Sequence, residues 1–455
     1  MNKKILLALG IICTLTSCNS QINSESSDKI SGDLSNISQE NSDTPLNSKL
    51  LRTPNENEKA SLEELNDEGY KIFKNKLSAF SSKLNEKVFD EVFDGSNSVI
   101  SPLSIYMALA LVTSCSDGNT RQEVLDALGM SYDEVKKYTS TLYKQSNKEY
   151  HDDDGGIYLK EKVTNSIWFD DDITYSLNDK GLDELANNYY CYPYEVDFDN
   201  NNTVANEAIR QFVKENTKGK IDQDFMFDDE TVLLLINTLY LKDVWNFAGL
   251  DLPFTKDNYS FKNIEGNVKQ SKFLEGYYNS GKVYETNTYR SFYTTTTRYK
   301  ISFIVPTDGY DIKDLFTENT INEVSNISYQ IRSDDSTEMY ETRCLFPEFK
   351  ADTDINIHGI LQSQFNINDL FSPGYCNFNN ISNYEMFCKY IRHVAVLDVD
   401  KTGIEGAAVT IVASDGTAAP EPIKIVYDDF VVDKSFGFVI SDAGIPLFTG
   451  IINQI

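Results

Sequence analysis

The chain carries three histidines, His151, His358 and His393, and none has the spacing of a metal-binding motif. No Gly-x-Ser-x-Gly elbow supplies a nucleophile, so His393 has no motif to serve as a general base. His151 stands in the acidic run His151-Asp152-Asp153-Asp154, which reads as an exposed loop without ligands elsewhere. The seven cysteines include Cys13 and Cys18 near the N-terminus, leaving Cys115, Cys191, Cys344, Cys376 and Cys388. No pair has Cys-x-x-Cys spacing, and five is odd, so buried free thiols are expected rather than a zinc site or a disulfide framework. An enzyme is therefore not expected, and neither is a metal or a cofactor.

The stretch with the most chemical content is one that could be acted upon. After Gly403, a flexible point, residues Ile404 to Ser414 carry a single charge, Glu405. If this segment joins a sheet as a strand, alternate side chains face opposite sides. Ile404, Gly406, Ala408, Thr410, Val412 and Ser414 would face inward, all small or apolar, while Gly403 and Glu405 begin the outward set. Such a strand can be buried without burying a charge, a step that costs several kcal/mol.

Elements that would hold this segment are legible around it. At 455 residues and 40% hydrophobic content, the chain can bury a large core, and residues 59–455 read as one α+β domain. A net charge of -29 repels phosphate backbones, which sets nucleic-acid binding aside. Apolar helical spacing runs through Leu62, Leu65, Tyr70, Phe73, Leu77, Phe80 and Leu84. Ser101-Pro102 starts a helix, a second is expected at Thr120 with Glu123 completing a capping box, and Gly129 suits its end. Val232 to Leu241 is apolar almost throughout, as a strand covered on both faces would be, and its Asn237 needs a partner. Further strands are expected at 299–305, 391–399, 436–440 and 447–452.

The N-terminus reads as an export signal, with Lys3 and Lys4 before an apolar core from Ile5 to Ile12. Leu15-Thr16-Ser17-Cys18 resembles a bacterial lipobox, which implies removal of residues 1–17 and a lipid on Cys18; a plain secretory signal is the alternative. Either places the protein outside the cytoplasm, at the cell surface or in the extracellular space. Residues 18–58, rich in Ser, Asn and Asp, read as a tether spanning roughly 35 Å.

From about Leu62 onward the chain resembles the serpin family. The matches, in order, are Asn97 to Ser104, Asn206 to Ile221 with its Asn216-Thr217-Lys218-Gly219-Lys220-Ile221, Asn237 to Trp245, Asp433-Lys434-Ser435-Phe436 and Leu447-Phe448-Thr449-Gly450. Lys401 to Thr410 falls where the family places the hinge of its reactive loop, so the resemblance assigns the hinge to Gly403, Ile404, Glu405, Gly406, Ala407, Ala408, Val409 and Thr410. It implies a large central sheet, two further sheets, surrounding helices and an exposed loop over about residues 401–430. It also implies a monomeric suicide inhibitor of an extracellular serine protease, or a cysteine protease, anchored to a membrane through Cys18. A non-inhibitory serpin, acting as binding protein or passive substrate, is the alternative.

Family spacing from Gly403 points to Thr417 and its bond to Ala418 as the bait, which suits elastase-like or subtilisin-like enzymes. Counting back from Asp433 lands near Lys424 instead, which suits trypsin-like ones. Pro420 and Pro422 favour Thr417, because they remove donors from a strand extended to Lys424. Ser101, Ser104, Asn237 and His393 match the positions that the family uses as the shutter beneath its sheet, and Asn237 and His393 could satisfy each other there. Ile404 and Gly406 depart from the usual small hydroxyl and alanine without adding charge. Gly437 interrupts a normally apolar run and puts local packing in question.

Overall fold

The structure, a computed structural model, describes residues 45, 47–56, 58–152, 155–225, 227, 231–245, 251–389, 391–405 and 424–455. Its longest helix, Glu68–Val92, is capped by the Asp67 carboxylate, which accepts from the Gly69 amide at 2.7 Å. It buries Tyr70, Phe73, Leu77, Phe80 and Leu84, the apolar face read from the sequence, while Leu62 before it is exposed. The Pro102–Cys115 helix is apolar all round and almost wholly buried; Ser101 caps it and Pro102 opens its first turn.

The next helix departs from expectation. It spans Gly118–Leu128 behind Asp117, not Thr120, although Gly129 does end it in a left-handed conformation. The expected capping atoms serve tertiary contacts instead. Glu123 accepts from the Asn368 and Asp369 amides at 2.7 and 2.8 Å, and the Thr120 hydroxyl accepts from the Asn377 amide at 3.0 Å.

The central sheet has eight strands: β1 Lys49–Leu50, β2 Lys148–His151, β3 Ile157–Asp170, β4 Cys191–Val196, β5 Leu233–Val244, β6 Phe349–Asn356, β7 Arg392–Asp400 and β8 Gly403–Ile404. Their spatial order is β1-β4-β3-β5-β8-β7-β6, with β2 on the side of β3. Only β3 and β4 run parallel. Both faces are covered. On β7, His393, Ala395, Leu397 and Val399 point into the main core, while Val394 and Val396 pack with Ile209, Phe212 and Ile221 of a second core under the Asn202–Asn216 helix. This explains the unbroken apolar run of β5.

Behind this sheet lies a six-stranded sheet that includes Lys300–Pro306, Phe436–Asp442, Ile445–Ile452 and Ser98–Ile100. A three-stranded sheet joins Lys424–Val431, Glu338–Phe346 and Leu274–Ser280, and Tyr259–Lys262 pairs with Val268–Ser271. The folded body begins earlier than composition suggests. β1 pairs with β4, Arg52 binds Asp179 and Asp183, and Glu56 and Glu58 accept from the Tyr143 and Tyr190 hydroxyls, so Pro45 to Glu58 lie on the domain and not in a tether.

Gly437 has a packing reason. A Cβ there would lie 2.8 Å from the Phe316 ring, which is itself held edge-on against Phe89 at 4.8 Å. Gly437→Val is expected to cost about 1–3 kcal/mol through overpacking. The urea unfolding midpoint should fall, and a second change, Phe316→Leu, should restore part of the loss.

Candidate functional site: an unfilled strand position

β5 and β7 are not hydrogen-bonded to each other. Among the described residues the ladder between them runs through the two residues of β8, where Ile404 pairs with Asp243 and Val399, and Gly403 with Val244 and Asp400. Beyond Ile404 no described residue pairs with either strand in the position between them. Its upper part is lined by Leu239, Leu241, Ala395, Leu397, Ser101 and Phe448. Its lower part runs on between Leu235, Ile236, Thr238 and Val394 to Cys388 and Ile391.

Local sequence builds the mouth of this cleft. A Cβ on Gly403 would sit 2.1 Å from the Asp243 carbonyl oxygen, so glycine is required for close approach of two strands and not only for flexibility. Ile404 is buried at 1% exposure, facing inward as alternation predicts. The Trp245 indole donates to the Asp400 carbonyl at 2.9 Å and ties the ends of β5 and β7 together. Burial pushes the Asp243 carboxyl up to about 6 although it accepts from the Arg298 amide at 2.8 Å.

The Thr217 to Ile221 segment lies over the cleft. Gly219 has φ +79°, the Thr217 hydroxyl accepts from the Ile221 amide at 3.2 Å, and Ile221 enters the second core. Lys220 Nζ stands 3.9 Å from carboxylate oxygens of both Asp398 and Glu405. Glu405, expected on an outward face, is therefore not in open water: its side chain is 15% exposed.

The fold is matched by comparison with known proteins. The family model described as "Serpin (serine protease inhibitor)" matches residues 75–455. The chain belongs to the serpin family. It is 24% identical to human neuroserpin over 371 residues, covering 78% of this chain and 85% of that protein. It is 26% identical to a serine protease inhibitor of Cyanea capillata, with 76% and 88% covered. The leukocyte elastase inhibitor of Sus scrofa is 24% identical, with 80% and 95% covered. Among solved structures, the native state of the thermophilic serpin tengpin shares the fold with a TM-score of 0.70 at 22% identity, covering 90% of this chain and all of that one.

Of the four residues expected to form a shutter, Ser101, Ser104 and His393 are linked beneath the cleft, but the pairing that the sequence suggests is not found. His393 Nε2 accepts from the Ser101 amide at 3.1 Å, and the Ser101 hydroxyl accepts from the Ser104 amide at 3.2 Å. Asn237 does not meet His393. Its side-chain amide donates to Asn165 at 2.6 Å, directly across the β3/β5 ladder, and Asn165 donates to the Tyr189 carbonyl at 2.8 Å. Asn165 is the partner that sequence reading missed; a second Asn in a neighbouring apolar strand was its signal. The Asn237 Oδ1 and Thr238 hydroxyl, both lining the lower cleft, have no hydrogen-bond partner among the described residues.

The residues expected to form the bait and hinge divide at residue 405. Gly406 to Ile423, with Thr417, Ala418 and hinge residues Gly406, Ala407, Ala408, Val409 and Thr410, lie outside the described residues, as does Cys18. Lys424 is the first residue of the Lys424–Val431 strand, paired with Glu338 in register and through an ion pair of 2.5 Å. His151 is partly exposed and bound to Glu149 at 2.9 Å. Cys115, Cys191, Cys344 and Cys388 are buried and Cys376 partly so, all as free thiols.

Burial pushes the His393 imidazole down to about 4. The unfolded chain then takes up a proton near pH 6.5 that the native state refuses, so this residue's contribution is full above pH 6.5 and is lost as pH falls toward 4. Asp243 acts in the opposite sense, since its raised pKa favours the native state on acidification. The difference between the parent and His393→Gln isolates the histidine. From pH 7 to pH 5 the parent should lose about 2 kcal/mol more than the variant by denaturant titration.

Proposed function

We propose that this serpin is a suicide-substrate inhibitor of an extracellular serine protease. The observation that carries the reading is the unfilled position between β5 and β7, with β8 stopping after two residues at its mouth. A strand entering there would find ladder edges on both sides that no described residue pairs beyond Ile404, and an apolar lining on both faces. Ile404 already points inward, and the inward alternation continues through Gly406, Ala408, Thr410, Val412 and Ser414 without a charge.

The protease serine attacks the carbonyl of Thr417 and expels the amine of Ala418, leaving the enzyme esterified to the upstream part of the loop. That part, freed at its new end, adds residues below Ile404 as a strand. Extended from Ile404, the segment to Thr417 spans roughly 45 Å at the rise of a β-strand, enough to carry the acyl-enzyme along the whole sheet. Distortion of the captured enzyme then outruns deacylation. Thr417 is preferred to Lys424 because Lys424 sits in a paired strand, where a protease would first have to unpair it. The neighbouring Thr, Ala and Ala favour an enzyme with a small or apolar pocket, elastase-like or subtilisin-like. The N-terminal signal and Cys18 supply export and a lipid anchor, which put the inhibitor, acting as a monomer, at a membrane surface.

The test is incubation of the domain with an elastase and with trypsin, followed by denaturing electrophoresis and mass measurement of the released C-terminal peptide. An SDS-stable complex with the elastase and a peptide beginning at Ala418 are expected. Ala408→Arg should turn the inhibitor into a substrate, because its charge would face the core on insertion. Clean cleavage of the parent without a complex or lost protease activity would refute inhibition. A peptide beginning after Lys424 would move the bait.

A further inference from the structure

Cys376 and Cys388 flank the stretch of chain that leads from the short helical turn Asp369–Phe371 into β7. Both are held by the same few residues. The Cys376 amide donates to the Ser372 carbonyl at 3.1 Å, and the Cys388 amide donates to the Leu370 carbonyl at 2.9 Å. The Cys388 amide also donates to the Cys376 sulfur, which therefore lies within a few ångströms of the Cys388 backbone. A disulfide spans Cα atoms about 4.4–6.8 Å apart, a separation that an amide-to-sulfur contact between the same two residues allows. Further contacts fix the Cys376 side. The Asn377 amide donates to the Thr120 hydroxyl at 3.0 Å, and the Asn377 carbonyl accepts from the Asp117 amide at 2.9 Å. The Asn380 side chain donates to the Ser114 carbonyl at 2.6 Å. The frame that brings the two cysteines together is built from backbone, amide and hydroxyl groups.

We propose that Cys376 and Cys388 are a disulfide-forming pair, oxidised by exchange with a small-molecule disulfide such as oxidised glutathione. The other described thiols are sealed in the core: Cys115, Cys191 and Cys344 are at most 1% exposed, whereas Cys376 is half-buried and Cys388 is 8% exposed. The Cys376 thiolate attacks one sulfur of the small disulfide and expels its other half as a thiolate. The Cys388 thiolate then attacks the Cys376 sulfur and expels the second half. Two protein thiols are oxidised to one disulfide, and the reagent is reduced to two thiols that take up the two protons. Burial pushes the Cys376 thiol up to about 12, so little of it is thiolate at neutral pH and the folded protein oxidises slowly. The bond closes the 377–387 loop and ties the approach to β7 to the segment held at Ser114 and Thr120. Closing that loop removes freedom from the unfolded chain, so the oxidised protein is the more stable form. This goes beyond the inhibitory reading and does not rest on it; the export reading adds only a compartment in which disulfides persist.

The protein is equilibrated with mixtures of reduced and oxidised glutathione and denatured, its remaining thiols are alkylated, and the unreduced digest is mapped by mass. The expected product is a peptide pair joined through Cys376 and Cys388, lighter by two hydrogens than its reduced parts, with Cys115, Cys191 and Cys344 alkylated. The urea midpoint should rise with the oxidised fraction in the parent and stay level across the same mixtures in Cys376→Ser and Cys388→Ser. The map is read on the parent, so it decides the matter even where a serine variant fails to fold. Alkylated Cys376 and Cys388 at the most oxidising ratio would overturn the pair. So would glutathione left on either cysteine without an internal bond, or a bond from Cys376 to Cys115.

Discussion

Everything in this serpin turns on two strands that stay apart. β5 and β7 are each paired on their outer sides, buried on both faces and bridged at one end by Gly403 and Ile404. A sheet interior normally satisfies its backbone groups on both sides. Among the described residues, β5 and β7 lack the hydrogen bonds and apolar burial that a further strand between them would add. On the insertion reading, such a state would persist only because the path to the filled sheet is slow, and its stability would be kinetic.

The neighbouring residues have consistent roles when seen from that opening. Gly403 lets β8 approach the Asp243 carbonyl, and Trp245 ties the strand ends at Asp400. Lys220 and Ile221 cover the cleft from the second core. Beneath it, the Ser101 amide and His393 form a polar contact between the Pro102–Cys115 helix and β7, with neutral imidazole as the acceptor. Asn165 and Asn237 form a second one across β3 and β5. Polar contacts of this kind hold strands in register and can be exchanged for others when a strand arrives, whereas an apolar seam would only be pulled apart.

Much of this was legible beforehand, for physical reasons. Helix starts such as Ser101-Pro102 and the apolar run of β5 depend on local rules, and both are found where the residues place them. Inward alternation from Ile404 follows from the pleat alone. What was not legible depends on long-range contact. Glu123 and Thr120 could cap a helix by sequence, yet their oxygens are taken by amides near Asn368 and Asn377. The partner of Asn237 is decided by strand register, which no spacing rule supplies. Residues 45–58 have the composition of a tether, but β1 and Arg52 dock them on the sheet edge and on Asp179 and Asp183. Glu405 was read as an outward charge, yet its side chain is largely buried near Lys220, a contact that alternation along one strand does not supply.

Amide hydrogen exchange tests the central claim directly, since an unfilled strand position leaves the cleft-facing amides of β5 and β7 without ladder partners. Exchange is followed in residues 235–241 and 394–398 of the intact domain and again after the loop has been cut. The account predicts fast exchange at these sites before cleavage and strong protection at both strands afterwards, spreading from the Ile404 end. Unchanged exchange after a complete cut would contradict it.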